Sequence, residues 1–315
     1  MIVIDVDPVI FQGGPLALRW YGVMYVVGIL VGLRVAMPYA RSIGLDEDTA
    51  WSVFAPALIG GLLGGRLYYV VQSGLGDYLR QPWRILATWE GGMAFYGAVF
   101  GATAAIAYVA WRRKLTREAL GKLLDSAALF AAVGQVFGRI GNIINGDILG
   151  PPTDLPWGVI YEHPGTFAPQ RGVAYHPAAV YELLFNLLLI ALLWALRYRL
   201  PRPGLLFVTY LGAYSLGQVL IFFWRSNEVL LLGLRQGQLT ALVVLALCLP
   251  LARYFGTGAP PSATPEAAPG ATADAAPEAA PGAPPGATPG SARPSIYSDD
   301  AAQSAPRAGA AGPPP

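Results

Sequence analysis

The sequence predicts an all-α, polytopic membrane protein with about seven transmembrane helices, its N-terminus outside and its C-terminus cytoplasmic. Three observations predict it. Of the 315 residues, 54% are hydrophobic and only 13% charged, far more apolar than a soluble domain of that length. Several stretches approach the roughly 20 apolar residues that cross a bilayer. The short loops between them place their basic residues on alternate sides. The net charge of +2 gives no reason to expect nucleic acid, and the single cysteine, Cys248, excludes an internal disulfide framework or a cysteine metal cluster.

Taken in order, the chain begins "MIVIDVDPVIFQGGP", which lacks the basic start and small-residue cleavage site of a signal peptide, so its first apolar segment is expected to be retained. The spans are expected at about 16–37, 51–72, 93–111, 124–144, 178–196, 204–224 and 237–255. The third and fourth are joined by "RRKLTREALGK" and the fifth and sixth by "RYRLPRP". Both loops are short and basic, which assigns them to the cytoplasm. Arg41 in the first connection agrees, and the long segment after the fourth span carries only Arg171. No internal repeat relates the halves, which weighs against an inverted-repeat transporter. Residues 1–256 are therefore expected to form one transmembrane domain. Residues 257–315, with "GAPPSATPEAAPGATADAAPEAAPGAPPGATPG", have too little bulky apolar side chain to offset backbone ordering and are expected to be a disordered cytoplasmic tail.

This topology gives every polar residue in a span a depth. Arg19 and Tyr21 begin the first helix at its outer end, Arg66 lies late in the second, and Glu90 through Tyr96 open the third. Arg139, Asn142 and Asn145 end the fourth, followed by Asp147; His176, Tyr181 and Glu182 begin the fifth; Gln218 and Arg225 end the sixth. All fall in the outer half of the membrane. Ionisable groups there cost a few kcal/mol each and face a protein interior or a watery cavity, so a polar chamber open to the outer leaflet is expected. Arg19 and Arg225, nearest the boundary, are equally consistent with snorkelling to the headgroups.

Arg139 lies deeper, and Asn142 at i+3 shares its helix face, setting a guanidinium fork beside an amide. Gly138 and Gly141 remove side chains beside that face, which lets a helix or a ligand approach closely. A structural interhelical clamp is one use of this arrangement. The other is binding an anionic headgroup, above all a phosphate.

The blocks "DPVIFQGGPLALRWYGVMYVVG", "LLGGRLYYVV", "WEGGMAFYGAVFG", "GRIGNIINGDILG" and "YHPAAVYELL" together resemble the prolipoprotein diacylglyceryl transferase family in order, spacing and membrane position. The resemblance covers residues 7 to about 250, and its most specific element is "GRIGNIINGDILG". It implies transfer of a diacylglyceryl group from phosphatidylglycerol to the lipobox cysteine thiol of a preprolipoprotein, in a bacterial inner membrane, with no cofactor. Matched residue by residue, it implies a lipid-headgroup role for Arg139 and Asn142. It extends the signature through Asn145, Gly146 and Gly150, with Asp147 where many members have glutamate. Tyr21, Arg66, His176, Tyr181 and Glu182 match its remaining functional blocks.

Two positions depart from that pattern. Tyr96 stands where many members have histidine, and Gln218 where an arginine is expected. A phenol titrates near pH ~10 and is a weak base when neutral, so Tyr96 is expected to orient substrate. Arg225 or Arg235 is the alternative source of the second cation. The nucleophile belongs to the substrate protein, and Cys248, toward the cytoplasmic end of the last helix, is an apolar filler. His176, Asp147 and Glu182 are the candidate bases, while His163 falls in a solvated loop. The departures also allow a catalytically weak homologue that binds anionic lipid, and the multiple spans allow a small-solute transporter.

Overall fold

The computed structural model describes residues 1–14, 16–87 and 92–257. The expected disordered tail, apart from Thr257, lies outside them, as do Glu90 and the side chain of Tyr96. The helices are α1 (Trp20–Ser42), α2 (Glu47–Gln72), α3 (Leu75–Arg80), α4 (Phe95–Arg112), α5 (Arg117–Asn145), α6 (Ala178–Leu196), α7 (Leu205–Ile221) and α8 (Gln236–Gly256). Six helical stretches are long and apolar enough to cross a membrane: α1, α2, α5, α6, α7 continued through the 3-10 turn Phe222–Trp224, and α8. The expected span at 93–111 corresponds to α4, which has 18 residues and ends on Arg112, leaving no longer apolar window.

Two of the helix starts that the sequence misplaces, those of α1 and α5, have identifiable reasons. The expected span at 16–37 begins four residues late, because strand β3 (Leu16–Arg19) follows strand β2 (Val9–Gly13), and the two pair antiparallel through Gln12 with Ala17 and Gly13 with Leu16. Gly14 makes that reversal possible with a φ of 59°, a left-handed conformation that costs glycine little. The basic loop "RRKLTREALGK" is mostly helix. Thr116 Oγ1 accepts a hydrogen bond from Ala119 N at 3.2 Å, and Glu118 pairs with Lys122 at 2.7 Å, so α5 starts at Arg117.

Small residues set the helix contacts. A Cβ on Gly101 of α4 would strike the carbonyl oxygen of Gly60 on α2, and one on Gly64 would strike that of Gly97. Backbones therefore touch directly, as expected where lipid supplies no hydrophobic drive and association relies on close packing. On α1, Gly28 and Gly32 receive Phe137 and Phe130 of α5. Helices α5, α6 and α7 share a core of Ala128, Leu129, Ala132, Leu189, Leu193, Leu206 and Tyr210, with Tyr39 of α1 packed in. At that end of the bundle the Asp125 carboxylate accepts from Gly204 N at 2.8 Å and Phe207 N at 2.9 Å, satisfying amides that the start of α7 leaves open.

At the other end, the segment joining α5 to α6 folds back as β4 (Val159–Tyr161) and β5 (Ala174–Tyr175). Strand β1 (Ile2–Ile4) adds to β4 in parallel, Ile2 facing Val159. The last hairpin, β6 (Val229–Leu231) with β7 (Leu234–Arg235), leads from α7 into α8.

Candidate active site

Helix α5 stops where Gly146 adopts a φ of 76° and donates its N–H to Asn142 O. That stop leaves Arg139 and Asn142 on the last turns with Asp147 directly after them. Helix α6 begins at Ala178 and carries Glu182 one turn in, while α7 delivers Tyr214, Gln218 and, beyond a 3-10 turn, Arg225.

These residues meet. Glu182 is fully buried; one carboxylate oxygen lies 2.5 Å from Arg139 Nη2 and the other 2.9 Å from Arg225 Nη1. Gln218 Nε2 approaches the first oxygen at 3.4 Å. Arg139 Nη1 donates to Asn142 Oδ1 at 3.1 Å, and Asn142 Nδ2 donates to both Asp147 oxygens at 3.1 Å. Tyr214 lies beside Arg139. The Arg225 guanidinium lies 4.4 Å over the Phe222 ring, which fixes its direction. A charge pair this dry survives only with good geometry, and removing one partner costs on the order of 3–5 kcal/mol because the other is left buried and uncompensated.

Two cations on one carboxylate form an anion seat. Asp147 is the second acid of the network, and burial pushes its carboxyl above the ordinary range against the opposing pull of Asn142 and the two arginines. Gly141 takes the ring of Tyr21 against its bare face, and the Tyr21 hydroxyl lies 3.0 Å from that of Tyr25. A Cβ on Gly138, one residue before Arg139, would meet nothing within 4 Å. The helix face at Gly138 is thus open.

The other expected residues are placed differently. Arg66 donates to the carbonyls of Ile85, Gly92, Arg84 and Ala87 at 2.6–3.0 Å, so its guanidinium ties down the connection ahead of α4. His176 Nδ1 lies 3.1 Å from the Tyr181 hydroxyl, which accepts from Trp157 Nε1 at 2.9 Å, a group on the rim. Asn145 holds the outer segment through its backbone carbonyl, which accepts from Phe167 N at 2.9 Å, while its buried Oδ1 has no partner among the described residues. Gly150 threads between His176 and the Trp224 carbonyl, where a Cβ would collide with both. Arg235 turns away and donates to Asn227 O at 2.9 Å. Of the two alternative cations, Arg225 is the one that reaches the site. Sequence reading missed Tyr214, although it stands at i−4 from Gln218 on the same face of α7.

Fold and site together define a polytopic membrane protein with two half-buried arginines paired to one buried carboxylate at one end of its helices. The family profile described as prolipoprotein diacylglyceryl transferase matches residues 8–254. A relative from Geobacter sulfurreducens named phosphatidylglycerol–prolipoprotein diacylglyceryl transferase is 37% identical over 235 residues, covering 74% of this chain and 86% of its own. Proteins of the same name from Synechococcus elongatus, 36% identical over 76% of this chain and 84% of theirs, and Rhodospirillum centenum, 36% over 82% and 95%, are comparably similar. The chain belongs to the prolipoprotein diacylglyceryl transferase family.

Proposed function

We propose that this protein transfers the diacylglyceryl group of phosphatidylglycerol to the lipobox cysteine of preprolipoproteins, the first step of lipoprotein maturation, at the outer face of a bacterial inner membrane. The observation that carries this reading beyond family membership is the Arg139–Glu182–Arg225 cluster with open space at Gly138. A phosphodiester offers the two guanidinium groups the same oxygens that Glu182 now supplies, and Arg139 presents them as a planar fork. Asn142 holds that fork from behind, and Tyr21 walls the space through which the lipid arrives.

In the reaction the cysteine sulfur attacks the glyceryl carbon bonded to the phosphate oxygen, the C–O bond breaks, and glycerol phosphate departs with both electrons. Arg139 and Arg225 stabilise the charge that gathers on the phosphate. The thiol proton, with an ordinary pKa of about 8.5, passes to a base. Asp147 suits that role: it is half-buried, belongs to the same network, and its proton affinity is raised. Tyr96 orients the substrate, while His176 with Tyr181 shapes the rim where the signal peptide enters. The position of Arg225 argues against a weakened lipid-binding homologue, because the cation that Gln218 does not supply stands on the same carboxylate.

The test is direct. Purified protein mixed with phosphatidylglycerol and a lipobox peptide should raise the peptide mass by one diacylglyceryl unit, and a Cys-to-Ser peptide should gain nothing. Lipid retention without any mass gain would favour the binding homologue.

A further inference from the structure

A second charged recess lies at the opposite end of α1 and α6 from the Arg139 cluster. Arg34 sits about two turns before the end of α1, is exposed, and has no hydrogen-bonding or ionic partner among the described residues. An arginine within a membrane span is costly, and its guanidinium requires an anion or water. It lines a cavity of about 340 Å³ together with Arg197, Pro38, Tyr39, Trp194 and Tyr198. The cavity lining contains no acid. Its walls are fixed: Tyr39 Oη donates to Arg197 O at 3.0 Å, Ser42 Oγ lies 3.0 Å from Tyr198 Oη, and the Arg197 guanidinium is held over the rings of Trp194 and Tyr198 at 3.7 and 4.8 Å.

We propose that this recess binds the phosphate headgroup of an anionic phospholipid in the leaflet opposite the active site. Two guanidinium groups without a carboxylate supply the charge complement. Trp194 and Tyr198 supply the amphipathic rings that favour headgroup depth. An exposed apolar residue, Leu30, one turn before Arg34 on the same face of α1, continues from it toward the bilayer centre and offers a path for the acyl chains. A free phosphate has no use for that path, so the occupant is a lipid. The leaflet assignment rests on the proposed orientation; the anionic-lipid chemistry does not.

Native mass spectrometry of the full chain in detergent, titrated with phosphatidic acid, phosphatidylcholine or inorganic phosphate, tests the site. The wild type should retain phosphatidic acid at two positions. Arg34→Gln should weaken one of them about fivefold, the contribution expected of one basic residue at a headgroup. It should leave diacylglyceryl transfer unchanged, whereas Arg139→Gln should weaken the other position and abolish transfer. Unchanged phosphatidic acid binding in Arg34→Gln would overturn the proposal. So would equal retention of phosphatidylcholine at that position, or competition by millimolar inorganic phosphate. Loss of transfer by Arg139→Gln reports on the active site alone, so the two readings fail separately.

Discussion

Asp147 is the residue whose titration the chemistry exposes most clearly. Burial raises its proton affinity, so the carboxylate needed as a base forms only as pH climbs through a value above the ordinary one. Transfer should therefore fall on the acid side at a pH higher than a solvated carboxylate would give. Asp147→Asn should slow transfer by roughly 10²–10⁴-fold and remove that acid limb from the pH–rate profile; a slowed variant that keeps the limb would assign the proton to another group. Gln218 is the companion case. It lies within 3.4 Å of a carboxylate that two arginines already neutralise, so Gln218→Arg adds a third buried cation. Thermal denaturation should show lower stability and peptide assays little gain in transfer; a large gain would mean that the native site lacks a cation. Arg139 with Asn142 was legible in the sequence because i and i+3 share a helix face. The Glu182–Arg225 pair, 43 residues apart, was legible only as a shared depth. Arg66 shows the limit of that argument: depth placed it with the other arginines, but backbone carbonyls of a nearby turn claim its donors.

Helix contacts obey a different rule, the size of the residue at the seam. Gly101→Ala puts a methyl against the Gly60 carbonyl, and overpacking of this kind costs about 1–3 kcal/mol, so the thermal midpoint in detergent should drop. Gly138→Leu enters open space, so stability should hold while transfer falls, because the added side chain fills the approach to Arg139. Equal loss of stability in both variants would mean that the space beside Gly138 is not a substrate path. Hydropathy found the long helices, since length and apolar content are what a bilayer demands, but not the charged, Thr116-capped first turns of α5. It could not find the hairpin of β2 and β3, because "PLALR" is as apolar as the helix it precedes and only the Gly14 turn separates them. The short helix α3 carries too few residues to show a period at all.

For the whole molecule, the account requires that the cluster end of the bundle face the compartment into which preprolipoproteins are exported. A reporter fused after residue 255 should then be cytoplasmic, and a tag in the 151–175 segment should be accessible from outside; the reverse pattern would put the anion seat where no exported cysteine waits. The asymmetry of the basic loops predicts this orientation, and α5, α6 and the segment after α7 converge on one carboxylate at that end. The central claim is that Arg139 receives the phosphate of the departing headgroup. The measurement that tests it most directly is diacylglyceryl transfer to a lipobox peptide by Arg139→Gln protein whose thermal midpoint and helix content show it folded. Transfer should fall by at least about 100-fold, as when a donor to developing charge is removed, and Arg139→Lys, which keeps the charge but loses the fork, should recover little. Transfer at the wild-type rate by the folded Arg139→Gln protein would contradict the account.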